Sequence, residues 1–272
     1  MNKGLLFNPV QELIDKAVFL YGTRLKDGKC VYCEKPVIDY CDCVRSDKIN
    51  KIAKRVHKKV ADFENGSILG EVPDFVRGRN VPLKYANAEL SMYKARDNNE
   101  QEILNTLKRY QDNIVINYLS GKNLILLGNF GTAKTLLMSA LCNFITYEVN
   151  LSAKFINIVD LLAEVMSTFR DGTEKKELDV VDQYLSYDFL FIDDFDKCKD
   201  PKNWEEKLIY KIINRRYEEF KPIVISTNKG FNDLDRMYGE ASLSRLRENC
   251  IEVYFRSENE RIRKAVDNGL EA

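Results

Sequence analysis

Residues 123–135 read NLILLGNFGTAKT, and three changes of local structure are compressed into them. The run 123–128 is apolar without alternation, which predicts a short strand buried on both faces. Two glycines follow, at Gly128 and Gly131, and then a helical pattern over 135–149. A buried strand that turns through glycines into a helix presents unpaired backbone N–H groups at the helix N-terminus, and such a terminus attracts anions. Lys134 adds a positive charge suited to β- and γ-phosphates, and Thr135 adds a hydroxyl suited to Mg²⁺. The candidate phosphate cradle is therefore Gly128, Asn129, Phe130, Gly131, Thr132, Ala133, Lys134 and Thr135, which implies ATP with magnesium. The usual spacing G-x-x-x-x-G-K-[ST] has glycine where this chain has Ala133. Its methyl lies close to the phosphates and restricts the backbone, which bears on turnover more than on binding.

Downstream, FLFIDD at 189–194 is a second apolar strand that ends in Asp193 and Asp194. Acids at the carboxyl end of a buried strand lie where parallel sheets bind their ligands. Asp193 would hold Mg²⁺, directly or through water, and Asp194 would orient or deprotonate an attacking water. Residues 223–227 (IVIST) form a third strand, with Asn228 at its end to polarise water. Residues 153–158 (AKFINI) and 251–255 (IEVYF) are two more. Helices are expected at 159–169 and 204–220. Apolar strands alternating with helices predict an α/β domain, a parallel sheet covered on both faces in three layers. Arg245 and Arg247, in SLSRLREN, are further candidates for contact with a γ-phosphate.

Upstream the character differs. Residues 9–21 and 47–63 have helical apolar spacing, and 64–82 is rich in Gly, Pro and Asn, as a linker would be. A domain boundary near residue 75 follows, giving domains 1–75 and 76–272. Between the two helices stand Cys30, Cys33, Cys41 and Cys43, spaced C-x2-C-x7-C-x-C. Four thiolates in so short a loop suit a closed tetrahedral Zn²⁺ site that folds a segment too small for its own core. His57, the single histidine, lies mid-helix among Arg55, Lys58 and Lys59 and reads as a solvated position. Cys142, Cys198 and Cys250 are scattered and read as small core residues.

Composition bounds the rest. Of 272 residues, 44% are hydrophobic and 31% charged; Lys plus Arg (42) equals Asp plus Glu (42). Balanced charge leaves any nucleic-acid contact to local patches such as 51–59 or 170–176. No apolar run is long enough to span a bilayer, and the first residues lack a secretory core, so a cytoplasmic location without disulfides is expected.

Taken in order, GNFGTAKT, FLFIDDF, ISTN and ASLSRLRENC resemble the AAA+ ATPases of the DnaC, DnaI and IstB group. The resemblance extends upstream to VPLKYANAELSMY, from Val81, and to NIVDLLAEVMSTFRDG, from Asn157. It implies Walker A at 128–135, Walker B at 189–194 and a sensor 1 asparagine at Asn228. It also implies an arginine finger at Arg245, acting on a neighbouring subunit's ATP, and a sensor 2 arginine at Arg261, with Arg263 as fallback. By the same resemblance the chain loads a replicative DNA helicase (a DnaB-type hexamer) onto single-stranded DNA and self-assembles through the ATPase domain. A transposition helper like IstB, and an ATP-gated adaptor with little hydrolysis, are the competing functions. The cysteine-bearing N-terminal region favours the loader.

Overall fold

A computed structural model describes residues 25–26, 29–30, 81–149, 151–169, 176–198 and 203–256. The zinc candidates Cys33, Cys41 and Cys43, together with His57, Arg261, Arg263, the helices expected at 9–21 and 47–63 and the patch 51–59, lie outside the described residues. So does 170–175 of the second basic patch. Of Cys30 only the backbone is described. The chain divides into two compact units, one comprising 72–112 and 121–272 and the other 1–71 with 113–120.

In the smaller unit, strands β1 (Leu25–Lys26) and β2 (Lys29–Cys30) pair antiparallel, with Leu25 opposite Cys30. Asp27 and Gly28 lie between them in sequence, a pair favoured in two-residue hairpin loops. Helix α2 (Ile114–Ser120) also belongs to this unit.

The larger unit opens with two short 3₁₀ turns, Leu83–Tyr85 and Leu90–Met92, and helix α1 (Asn98–Asp112). The start of α1 is capped reciprocally. Asp97 Oδ1 accepts the Glu100 N–H at 2.7 Å, and Glu100 Oε2 accepts the Arg96 N–H at 2.9 Å. Then come β3 (Asn123–Gly128), α3 (Lys134–Tyr147), β4 (Ala153–Asn157), α4 (Ile158–Ser167), α5 (Glu177–Ser186) and β5 (Phe189–Asp193). A 3₁₀ turn (Phe195–Lys197), α6 (Asn203–Glu218), β6 (Ile223–Thr227), α7 (Phe231–Tyr238), α8 (Glu240–Glu248) and β7 (Cys250–Phe255) complete it.

The five strands described in this unit are parallel, in the order β4-β5-β6-β3-β7. The α/β architecture predicted from alternating elements is therefore present. Leu124, Ile125, Leu126, Phe189, Leu190, Phe191, Val224 and Ile225 are at most 1% exposed, as strands covered on both faces require. Each fully buried large side chain of this kind contributes about 1.5–3 kcal/mol.

Element ends differ from expectation in ways their caps explain. The strand expected to reach Ile158 stops at Asn157, whose Oδ1 accepts the Val159 N–H at 3.0 Å and starts α4 one residue early. The strand expected to include Asp194 stops at Asp193, because Asp194 is left-handed at φ 53°. The helix expected through Phe220 ends at Glu218. Phe220 also lies at φ 53°, and Lys221 N–H closes the turn on Arg216 O at 2.8 Å. Helix α3 begins at Lys134 rather than Thr135 and ends at Tyr147 rather than Val149. Helices α1, α2, α5, α7 and α8 match no expected element.

Candidate nucleotide-binding site

Register brings the site together. Ile192 pairs with Ile225, so the next residues, Asp193 and Ser226, stand side by side at the strand ends. Leu127 pairs with Thr227, which sets Asn228 next to the start of the phosphate loop. The strand that leads into Asn228 therefore lies between the loop strand and the acidic strand.

The loop leaves β3 at Gly128, with φ 148°, and a Cβ there would run into the carbonyl oxygen of Phe255. Gly131 is left-handed at φ 76°. Ala133 is left-handed too, at φ 63° and ψ 14°, which is the backbone reason for the usual glycine at this position. Ala133 offers no side-chain cap, so the first N–H groups of α3 have no intrahelical partner. They open toward the loop, where an anion would be held. Asn129 and Phe130 are exposed on the loop, and Thr132 is buried with its hydroxyl donating to Asn129 O at 2.9 Å.

Lys134 is the centre of the arrangement. Its Nζ donates to Gly128 O and Asn129 O, each at 2.7 Å, and to Asn228 Oδ1 at 3.0 Å, which uses its three protons; Thr132 Oγ1 lies 3.3 Å away. Burial pulls its ammonium down to about 8, against the opposing pull of Asp196, Asp194 and Asp193. Thr135 Oγ1 donates to Asp193 Oδ2 at 2.9 Å. Ser226 Oγ donates to Asp193 Oδ1, and the Asp194 N–H donates to Ser226 Oγ at 2.9 Å. Burial pushes the Asp193 carboxyl above its ordinary value, while the hydroxyls of Ser226 and Thr135 pull it back. Asn157 Nδ2 is 3.5 Å from Asp194 Oδ2.

A hydroxyl and a carboxylate within hydrogen-bond distance, beside an anion cradle, are hard oxygen donors of the kind Mg²⁺ takes, so Thr135 and Asp193 fit that ion. Bound there, the ion would neutralise phosphate charge.

Six predicted residues thus meet at one place: Gly128, Lys134, Thr135, Asp193, Asp194 and Asn228. Arg245 does not join them within one chain. It is half-buried on α8, where its Nη1 donates to Ala241 O at 2.9 Å and its guanidinium lies over the Tyr210 ring at 5.2 Å. Arg247 pairs with Glu252 at 3.1 Å and covers the Phe231 ring at 4.0 Å. Among the described residues, neither guanidinium touches the phosphate loop. Two site residues escaped the sequence argument, Ser226 and Asp196. The signal for Asp196 was a third carboxylate in DDFD, and for Ser226 a hydroxyl next to Thr227 at the end of an apolar run.

A parallel sheet whose strand ends gather a phosphate loop, an acidic pair and a polar asparagine defines a P-loop nucleotide-binding domain of AAA+ type. The chain belongs to the family of IstB-like ATP binding proteins, whose model matches residues 85–267. It is similar to the replicative helicase loader DnaC of Escherichia coli (strain K12), 26% identical over 174 residues, which span 64% of this chain and 68% of that protein. It is similar also to the insertion sequence IS21 ATP-binding protein of Pseudomonas aeruginosa, 30% identical over 156 residues, 55% of this chain and 56% of that one. Among solved structures, the crystal structure of the DnaC helicase loader superposes with a TM-score of 0.57 at 25% identity, covering 64% of this chain and 100% of that one. The DnaI structure, at 20% identity and a TM-score of 0.54, covers 66% of this chain and 94% of that one and shares the fold. Among the described residues, no helix is long and apolar enough to cross a membrane.

Proposed function

We propose that this chain is an ATP-hydrolysing loader that places a replicative helicase of the DnaB type on single-stranded DNA. The observation that carries this is the Lys134, Thr135, Asp193 and Asn228 cluster in a domain that resembles DnaC over most of its length. Lys134 and the α3 N-terminus hold the phosphates. Thr135 and Asp193 hold Mg²⁺, and Asp194 acts on the attacking water. Arg245 reaches the ATP of a neighbouring subunit in an oligomer, and Arg261 contacts nucleotide from the C-terminal segment. The region 1–75 binds the helicase, with Zn²⁺ on Cys30, Cys33, Cys41 and Cys43.

The experiment is a loading assay with the full chain, the host's replicative helicase and DNA coated with single-strand-binding protein. The chain is expected to bind the helicase and to accelerate loading, and Lys134→Ala to lose the acceleration while keeping the helicase. A second function, helper to a transposase, is favoured by the similarity to the IS21 protein. A chain that ignores the helicase and binds a transposase instead would establish that function and refute the loader.

A further inference from the structure

Asp196 belongs neither to the phosphate loop nor to the acidic pair, yet it is buried at 6% exposure with its carboxylate turned to the site. Its Oδ1 accepts the backbone N–H of Asn228 at 2.8 Å and the Asn228 Nδ2 at 3.0 Å; its Oδ2 accepts the same Nδ2 at 3.2 Å. A carboxylate accepts hydrogen bonds and an amide has two unlike ends, so the acid decides which end it meets. The NH₂ end of Asn228 faces Asp196. The oxygen is thereby left facing Lys134, whose Nζ donates to it at 3.0 Å. A half-turn of the amide would set NH₂ against ammonium, donor against donor.

The turn that carries Asp196 is itself clamped. Phe195 is fully buried with its ring centroid 4.4 Å from that of Tyr238, and the Tyr238 hydroxyl donates to Phe195 O at 2.7 Å. On its other side, the Lys197 N–H donates to Asp194 O at 2.9 Å. The clamp leaves Asp196 little freedom to follow Asn228 if the amide turned. Among the carboxylates near Lys134, Asp196 also acts most strongly on its charge.

We propose that Asp196 is a positioning residue for ATP hydrolysis, holding the Asn228 amide with its oxygen toward Lys134. This rests on the ATPase function proposed above, and Asp196 acts through Asn228 rather than on the nucleotide. A residue that orients another shows itself as a loss in turnover without a matching loss in binding.

The test uses the full chain with Asp196→Asn, Asp196→Ala, Asn228→Ala and the double variant Asp196→Ala/Asn228→Ala. Turnover is expected to fall tenfold or more in each single variant, with ADP affinity kept within threefold. The double variant should turn over no more slowly than Asn228→Ala alone, since residues acting as one unit are not additive. Independently of activity, NMR of the nucleotide-free chain follows the Asn228 side-chain NH₂ pair, identified by its loss in Asn228→Ala. Asp196→Asn should displace that pair and speed its exchange with water tenfold or more. Asp196→Asn is isosteric, so it carries the test even where Asp196→Ala does not fold. An NH₂ pair unmoved by Asp196→Asn overturns the proposal, as does a double variant slower than Asn228→Ala by a further tenfold. A displaced pair in a chain whose wild type shows no turnover supports the Asp196–Asn228 relation and refutes the ATPase function instead.

Discussion

Thr135 and Asp193, which sit on different elements, meet at 2.9 Å, with the threonine hydroxyl donating to Oδ2 of the acid. The other carboxylate oxygen accepts from Ser226, so both oxygens of a buried acid are engaged by hydroxyls. Such an acid keeps a defined orientation, and exchanging the Thr135 hydroxyl contact for a shared cation needs no movement of backbone.

The first prediction concerns that cation. ATP should bind at least tenfold more tightly with Mg²⁺ than in EDTA, and Asp193→Asn should remove most of that increment while leaving binding in EDTA within threefold. Burial disfavours the Asp193 charge, which offsets the hydroxyl hydrogen bond that an amide gives up, so Asp193→Asn should stay folded. Titration calorimetry with and without Mg²⁺ decides it. A full Mg²⁺ increment in Asp193→Asn would place the metal elsewhere.

Ala133 supplies the second. A left-handed backbone costs an L-residue about 1–2 kcal/mol, whereas glycine adopts it freely. Glycine returns about 0.4–1 kcal/mol of that through the greater freedom of its unfolded chain. Ala133→Gly should therefore stabilise the protein by about 0.5–1 kcal/mol, measured by urea denaturation, with nucleotide affinity unchanged and turnover equal or higher. Were residue 133 in the ordinary helical region, the same change would destabilise.

What could be read from the sequence was what is contiguous. The segment 123–135 carries strand, loop and helix in neighbouring residues, and local physics suffices to read it. The same holds for Asp193 and Asp194 at the end of an apolar run. Asp196 and Ser226 gain their roles from the register between β5 and β6, and no spacing within one segment encodes register. The need for glycine at 128 was attributed to the turn, yet it arises equally from the approach of Phe255 on a distant strand. Helices α7 and α8 were missed for another reason. In α7 Phe231, Leu234, Met237 and Tyr238 keep helical spacing, but over only eight residues; in α8 the buried apolar residues, Leu243 and Leu246, are too sparse for a periodicity to stand out.

Arg216 supports a prediction about stability. It is fully buried, and its guanidinium donates to four carbonyls: Tyr184 O at 3.0 Å, Tyr187 O at 2.9 Å, Asp188 O at 3.0 Å and Pro222 O at 2.9 Å. It thus ties the end of α5 to the starts of β5 and β6. Pro222 O also accepts the Leu190 N–H at 3.2 Å and keeps that donor; each other buried carbonyl left without one costs about 1–3 kcal/mol before water or relaxation recovers part of it. Arg216→Ala should destabilise by about 3–5 kcal/mol, and Arg216→Lys should restore less than half, because one ammonium cannot span the planar fork's four acceptors. A loss below about 1 kcal/mol for Arg216→Ala in urea denaturation would show that the cage is dispensable.

Two thiols give the pH dependence. Burial pushes Cys142 and Cys250 up to about 12 from an ordinary 9. Above pH 9 the unfolded chain releases these protons and the folded chain keeps them, so the unfolded state binds fewer protons and stability falls as pH rises from 9 toward 12. Cys142→Ala should shallow that slope. At pH 8 Cys142, which is buried, should not react with iodoacetamide in the folded chain, and its alkylation mapped by mass spectrometry should follow global unfolding. Rapid labelling of Cys142 without unfolding would contradict its burial.

The last prediction concerns assembly. Within one chain Arg245 stays on α8, bonded to Ala241 O and lying over Tyr210, so it does not serve the site formed by its own phosphate loop. If it serves a neighbour's site, Arg245→Ala and Lys134→Ala are each inactive for complementary reasons, one lacking the donated cation and the other the loop that receives ATP. Mixing the two should then recover part of the turnover, because some interfaces pair an intact Arg245 with an intact Lys134. At equal proportions, with random association, about a quarter of the interfaces are competent, and activity should approach that fraction of wild type. The double variant Arg245→Ala/Lys134→Ala, mixed with wild type, should poison rather than rescue. A mixture that forms mixed oligomers by cross-linking yet stays inactive at every ratio would show that Arg245 does not act across an interface.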